Sequence, residues 1–260
     1  MLHPRIIPCL LIHKSGLYKT VQFNSPKYIG DPINAVKIFN EKEVDELIVI
    51  DIDATVNRNE PDYKLIEKLA VECRMPICYG GGVKTIEQAN KIFKLGVEKI
   101  ALSSIAVENP NFISELSNTV GKQSVVVVLD VKKNGSSYEL YTNNAKKAVG
   151  INPFLFAEQM QAAGAGEIVI NSIDHDGMMK GYDEIVLNKI CQSVSIPVTI
   201  LGGAGNLDDL GKAIFQNGTI GVSAGSLFVF KGKFKAVLIN YPNADEKNLL
   251  FEKYFINKNK

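Results

Sequence analysis

The sequence is short of the residue patterns that mark metal, redox and membrane proteins, and each shortage removes a class of function. Its four cysteines, Cys9, Cys73, Cys78 and Cys191, form no CxxC pair and have no companion histidine. Neither a zinc spacing nor a thioredoxin-type motif is therefore readable, and they are expected to be reduced, mostly buried thiols. The three histidines, His3, His13 and His175, show no HxxxH or HExxH spacing, so no metal site is implied. No apolar run approaches the ~18 residues of a membrane span. The run Ile6 to Ile12 is too short and too close to the terminus for a signal peptide, so the expectation is a cytoplasmic protein with no membrane partner. An excess of one charge is lacking as well. With 29 Lys+Arg against 28 Asp+Glu the formal charge is +1, which argues against a nucleic-acid surface. No motif for an organic cofactor is present.

What the sequence does hold is a regular alternation. Its 260 residues, 46% of them hydrophobic, allow one large domain or two small ones with a full core. Eight short runs rich in Val, Ile and Leu read as strands buried on both faces: 5–11, 46–51, 76–79, 99–103, 124–130, 167–172, 197–201 and 219–224. Helical patterns lie between them, at 33–39, 63–71, 86–95, 112–120, 153–163, 185–194 and 207–215. Several have start signals, among them Asp31 before Pro32, Thr85 followed by Gln88, and Asn206 followed by Asp209. Eight β-then-α units in a chain of this length is the arithmetic of a (β/α)8 TIM barrel.

An internal repeat supports the same fold. A shift of 121 residues lays Glu46-Leu-Ile-Val-Ile-Asp-Ile-Asp53 on Glu167-Ile-Val-Ile-Asn-Ser-Ile-Asp174, and Pro76-Ile-Cys-Tyr-Gly-Gly-Gly82 on Pro197-Val-Thr-Ile-Leu-Gly-Gly203. Two like halves, about 1–122 and 123–245, predict a barrel with pseudo-twofold symmetry and one compact domain over 1–260; a doubly wound sheet would not predict the repeat.

In such a barrel the active site stands at the C-terminal ends of the strands, here called the mouth. Strand three runs into Gly80, Gly81 and Gly82, and strand seven into Gly202 and Gly203. Glycines there can turn the backbone and present N–H groups to an anion. Strands four and eight end in Ser103-Ser104 and Ala224-Gly225-Ser226, small enough to leave room for it. The repeat thus predicts two phosphate-type sites on opposite sides of the mouth, Asp176-Gly177 being grouped with them; the resemblance described below implies a phosphorylated small molecule or nucleotide sugar as their ligand. The bland alternative is that the glycines only make turns. Asp130 ends strand five after an apolar run, which suits its carboxylate to acid or base work. Asp51, Asp53, Asp174 and Asp176 end strands two and six, where some are expected to be caps. With a small local change from the main offset, Cys9-Leu10-Leu11 matches Val128-Leu129-Asp130, so the repeat partner of Asp130 is Leu11, which cannot transfer a proton. At the opposite end, the floor, Arg5, Glu46, Lys99 and Glu167 stand at the starts of strands one, two, four and six. Two cations and two anions there should pair into a ring, and the residues alone read as closure of the bottom face.

Taken together, Arg5-Ile-Ile-Pro-Cys-Leu10, Gly80-Gly81-Gly82, Ala106-Val-Glu-Asn-Pro110, Asp130, Gly164-Ala-Gly-Glu167, Asp176-Gly177, Gly181-Tyr-Asp183 and Gly202-Gly-Ala-Gly205 resemble the cyclase subunit of imidazole glycerol phosphate synthase over nearly the whole chain. The resemblance implies a barrel docked by its floor on a HisH-like glutaminase, with the ring Arg5, Glu46, Lys99 and Glu167 as the gate for ammonia. It also matches Lys19 to the family's loop lysine, making Asp130 and Lys19 the catalytic candidates. The departures gather at the mouth. The strand-one aspartate is Leu11; Ser103-Ser104, Asn171, Leu201 and Gly225 stand where the family has Asn-Thr, Thr, Ser and Ser. An intact floor and an altered mouth resemble a paralogous group tied to bacterial surface-glycan synthesis, in which ammonia goes to a third protein, a sugar amidotransferase, that makes an acetamidino from an acetamido sugar. A working histidine-pathway cyclase and a non-catalytic glutaminase adaptor are the two alternatives.

Overall fold

The structure is a computed structural model, and residues 4–255 are described. Eight strands form the barrel: β1 (Arg5–His13), β2 (Leu47–Asp51), β3 (Ile77–Gly80), β4 (Lys99–Leu102), β5 (Val125–Asn134), β6 (Glu167–Ser172), β7 (Val198–Leu201) and β8 (Gly221–Ala224). Each pairs in parallel with the next, β8 pairs with β1, and the β5–β6 pairing completes a closed (β/α)8 TIM barrel. Among the described residues no helix is long and apolar enough to cross a membrane, and no His/Cys/Asp/Glu cluster could hold a metal. His3 lies outside the described residues.

Why these segments are strands is visible in where their side chains go. On β1, Ile6, Leu10 and Ile12 join the layer between barrel and helices, while Ile7 and Cys9 join the barrel interior. Both faces are buried, so period-two alternation of polarity disappears and the run is almost continuously apolar. The helices start where side chains accept first-turn N–H groups. Thr85 and Asn206 form capping boxes with Gln88 and Asp209, and their numbers, 85 and 206, are again 121 apart.

Two features differ from the sequence-based expectation. First, β1 does not stop at residue 11 nor β5 at 130. β1 runs to His13 and folds into an antiparallel hairpin with Gly16–Val21 and Asn24–Gly30; β5 runs to Asn134 and continues into Ser137–Thr142 and Lys147–Ala148. The first turn is made by Lys14 and Ser15, both at positive φ (48° and 60°), a conformation usually signalled by Asn-Gly. With no glycine there, the turn leaves little trace in the sequence. Second, a helix at Ala244–Phe255 follows the last expected element and packs on the helix Leu207–Asn217, where a Cβ on Gly211 would lie 2.3 Å from Tyr254.

Each hairpin crosses the mouth to the other half. The β1 hairpin docks beyond β6: Thr20 Oγ1 donates to Asp176 at 2.7 Å, Phe23 N to the same carboxylate at 3.1 Å, and Gln22 N to the Asp176 carbonyl at 2.9 Å. The β5 hairpin docks beyond β2, where Asn144 Nδ2 donates to the Ile52 carbonyl at 2.7 Å. At their bases, Lys14 N donates to Asp53 and Lys133 N to Asp174, both at 2.8 Å. Since 174 − 53 is 121, the symmetry of the barrel extends to its mouth.

Candidate active site at the mouth and ion ring at the floor

A cavity opens at the C-terminal ends of the strands. Asp130, Lys19, Asp51, Ser103, Ser104, Asn171, Asp176, Gly177 and Gly225 line it, with Gly81, Gly82, Gly202, Gly203 and Ala224. The predicted mouth residues are thus brought together, whatever each does.

Asp130 faces inward from β5. Its two oxygens accept from Asn171 Nδ2 at 3.0 Å and Ser103 Oγ at 3.1 Å. Burial outweighs both bonds and pushes its carboxyl up to about 6, with Asp176 adding a smaller like-charge push. Neither bond partner is charged. Ser103 precedes the short helix Ser104–Glu108 without capping it through its side chain, because its hydroxyl goes to Asp130 instead. Asn171 Oδ1 is buried and has no hydrogen-bond partner among the described residues.

Leu11 is the twofold counterpart of Asp130 by register as well as by sequence. It pairs with Ile50 of β2 and Tyr18 of its hairpin, as Asp130 pairs with Asn171 of β6 and Tyr141 of its own; 171 − 50 is again 121. The mouth therefore has one carboxylate where its symmetry has places for two.

The glycines have a structural requirement that the sequence did not reveal. Gly81 and Gly202 adopt φ of +125° and +91°, and a Cβ on either would meet the carbonyl oxygen of Asp51 or Ser172, at 2.5 Å and 2.7 Å. The end of the preceding strand lies against them, so no side chain fits. Gly203 meets the Gly181 carbonyl in the same way, at 2.1 Å. These turns keep the loops after β3 and β7 close to the barrel axis, the geometry an anion nest needs.

Lys19 is the surprise of the mouth. It comes from the β1 hairpin, is 6% exposed, and donates from Nζ to the Cys9 carbonyl. Burial lowers its ammonium pKa, while Cys9 and Asp176 work the other way. Asp176 and Gly177, grouped by sequence with a phosphate site, have other partners. The Asp176 carboxylate clasps Thr20 and Phe23 of the hairpin, burial raising its pKa against those two bonds. Gly177, at φ +68°, leaves no room for a Cβ against the Thr20 carbonyl at 2.2 Å. Thr20 and Asn144, which hold the hairpins over the cavity, were missed by sequence reasoning, since neither belongs to a motif and both act across the two halves. Asp51 accepts from Asp53 N at 2.9 Å and Ala54 N at 3.1 Å, so it is largely a turn cap.

At the floor the four charges close into a cycle. Arg5 donates to Glu46 and, at 2.8 Å, to Glu167; Lys99 donates to Glu46 at 2.8 Å and to Glu167 at 2.9 Å. Thr199 Oγ1 adds a fifth member, donating to Glu167 at 2.6 Å. Alternation along β7 puts this threonine on the inner face, two residues before Leu201. Burial would raise the Glu167 carboxyl, but Arg5 and Lys99 overcome it and hold it below the usual range. Between ring and mouth the interior is lined by Ile7, Cys9, Ile48, Cys78, Val126 and Val169.

The chain is similar to known proteins over nearly its whole length. A family of histidine biosynthesis proteins matches residues 5–235. A Vibrio vulnificus protein provisionally named imidazole glycerol phosphate synthase subunit hisF3 is 56% identical over 254 residues, 97% of this chain and 98% of the relative. A Pseudomonas aeruginosa protein, provisionally named as subunit hisF2 of the same synthase, is 47% identical over 95% of this chain and 98% of its own length. The imidazole glycerol phosphate synthase subunit HisF of Natranaerobius thermophilus is 35% identical over 93% and 96% of the two chains.

Proposed function

The chain belongs to the histidine biosynthesis protein family as a HisF-like synthase subunit, and from that premise we propose that it passes ammonia from a HisH-like glutaminase, docked on its floor, to a sugar acceptor at its mouth. In this reading the product is an acetamidino sugar of a surface polysaccharide, made with a sugar amidotransferase as third protein. The carrying observation is the contrast between a closed ring of Arg5, Glu46, Lys99 and Glu167 at one end and Leu11 at the other, on the register place that mirrors Asp130.

The chemistry follows from the residues. The ring is a plug of paired charges that ammonia passes when one pair opens, and the apolar lining beyond it favours neutral ammonia over ammonium. At the mouth the Asp130 carboxyl, raised to about 6, is largely ionised at neutral pH and is placed to accept a proton from the arriving nitrogen. The Lys19 amine stands ready to pair with the anionic part of the ligand, and the turns at Gly81–Gly82 and Gly202–Gly203 give that part its seats. Cyclisation by an acid/base pair of carboxylates lacks one partner.

Purified chain given ammonia and the histidine-pathway ribonucleotide tests this directly, as does rescue of a cyclase-deficient auxotroph. The expected result is no more than background turnover; normal turnover would overturn the delivery reading in favour of a histidine-pathway cyclase. Lys99→Ala in the glutaminase complex tests the gate. Glutamine hydrolysis should continue while product formation drops, and preserved coupling would leave an adaptor without a channel.

A further inference from the structure

We infer that Thr199 is a positioning residue of the floor ring: its hydroxyl fixes Glu167 as the standing post, so that the ring opens by release of Glu46. Only ring opening is taken from the proposed function; neither ammonia nor a particular acceptor is needed.

The two carboxylates of the ring are equally buried, Glu46 at 4% and Glu167 at 5% exposure, yet they are held unequally. Glu167 accepts from both terminal nitrogens of Arg5, Nη2 at 2.8 Å and Nη1 at 3.4 Å, from Lys99 at 2.9 Å and from Thr199 at 2.6 Å. Among the described residues Glu46 accepts from Arg5 and from Lys99 at 2.8 Å, and from nothing else. Moving Glu167 therefore breaks four bonds and moving Glu46 breaks two. Hydrogen bonds to a charged group are the strong ones, so both cations stay on Glu167 when the ring parts.

The inequality arises from a difference between the two halves. Val169 of β6 pairs in register with Thr199 of β7, as Ile48 of β2 pairs with Cys78 of β3. Both members shift by 121, which makes Cys78 the twofold counterpart of Thr199. Cys78 is as buried as Thr199, but a thiol is a weak donor where a hydroxyl is a good one. Glu46 thus has a thiol at the place where Glu167 has its fourth bond.

The place of Thr199 is built by rigid parts. It faces Gly221 across the β7–β8 pairing, and a Cβ on Gly221 would lie 2.9 Å from the Thr199 Cβ and closer still to its Oγ1. The Thr199 Cβ is fixed by its own strand, so no rotamer relieves that approach, and a β-branched side chain has few rotamers to choose from. β7 carries the hydroxyl and β8 leaves the room for it.

The test is acetylation of Lys99 in the full chain without a glutaminase, read by mass spectrometry against the exposed Lys14. A lysine must leave its carboxylates to react, so its rate reports what still holds it. Glu46→Gln should speed Lys99 by less than about threefold, because Glu167 keeps the lysine. Glu167→Gln should speed it at least about tenfold, the weight of one hydrogen bond to a charged group. Thr199→Val, which keeps the shape and removes the hydroxyl, should raise the effect of Glu46→Gln to about that of Glu167→Gln. Gly221→Ala should do the same by displacing the hydroxyl, and Thr199→Ser should preserve the difference. Should Glu167→Gln fold poorly, Glu46→Gln with and without Thr199→Val decides the matter alone. Equal effects of the two glutamine variants beside a wild-type Thr199, or a difference that survives Thr199→Val, would overturn the inference. Preserved coupling in Lys99→Ala would overturn ammonia passage and leave this assignment standing.

Discussion

The floor and the mouth of this barrel handle charge in opposite ways. At the floor each carboxylate meets two cations, and a threonine takes a further lone pair of Glu167, so the ring is complete without a ligand. At the mouth Asp130 has two neutral donors and Lys19 one carbonyl. Charges matched by the protein itself stabilise the fold or plug a passage. Charges left partly matched carry an uncompensated desolvation cost, which is what makes the mouth the candidate functional site.

The opposite shifts give the two ends opposite pH responses. Glu167 is held below its unfolded value, so the stability it contributes is present above about pH 4.5 and is lost as pH falls. Asp130 is raised to about 6. Its protonated form favours folding below about pH 4, and that contribution is lost as pH rises through 6. Acid therefore weakens the floor and relieves the mouth.

Substitutions should sharpen the contrast. The largest effect is expected for Asp130→Asn, which should lower product formation by the assembled complex about 10²- to 10⁴-fold. The same variant should be more stable than wild type by about 3 kcal/mol at pH 8. That gain should vanish near pH 4, as read from urea melts at both values. If Asp130→Asn were destabilising at pH 8, the mouth carboxylate would be structural. Next comes Glu167→Gln, which leaves two floor cations sharing Glu46. We expect a loss of about 3–5 kcal/mol at pH 7 in urea denaturation, fading below pH 4. A loss under 1 kcal/mol would mean that the ring is not what holds the floor.

Smaller effects are expected where the two halves meet. Thr20→Val should cost about 1 kcal/mol and speed amide exchange at Gln22 and Phe23 while leaving the barrel strands protected; uniform loss of protection would show that the hairpin is integral to the barrel. The smallest is Leu11→Asp, which fills the empty twofold place. It should give a detectable gain in cyclisation that stays well below that of a true cyclase, because Ser103 and Asn171 remain. It should also raise the Asp130 pKa by like-charge repulsion, visible in carboxyl carbon NMR. An unchanged Asp130 titration would mean that the two places do not face one another.

Much of this was legible before the structure. The eight strands announced themselves through apolar runs, and the ring through charged residues at four strand starts, because inward-facing places at one level of a closed barrel must meet. The repeat, with a small local change from its main offset of 121, matched Leu11 to Asp130, and their strand registers agree. The hairpins were less legible, since Lys14-Ser15 lacks the usual turn residues and Thr20 finds Asp176 only when the chain closes. Asp176 was grouped with an anion site because it ends a strand at the mouth, whereas its oxygens hold the hairpin. Thr199 joined the ring without any motif to reveal it.

By itself the sequence determined the barrel, its two like halves, and which charges stand at which end, because strand alternation and repeat spacing are local properties that survive without coordinates. Tertiary structure alone decided how those charges are used. That Asp176 accepts from the Thr20 hydroxyl depends on segments more than a hundred residues apart arriving at the same few ångströms. Only closure of the barrel brings them there.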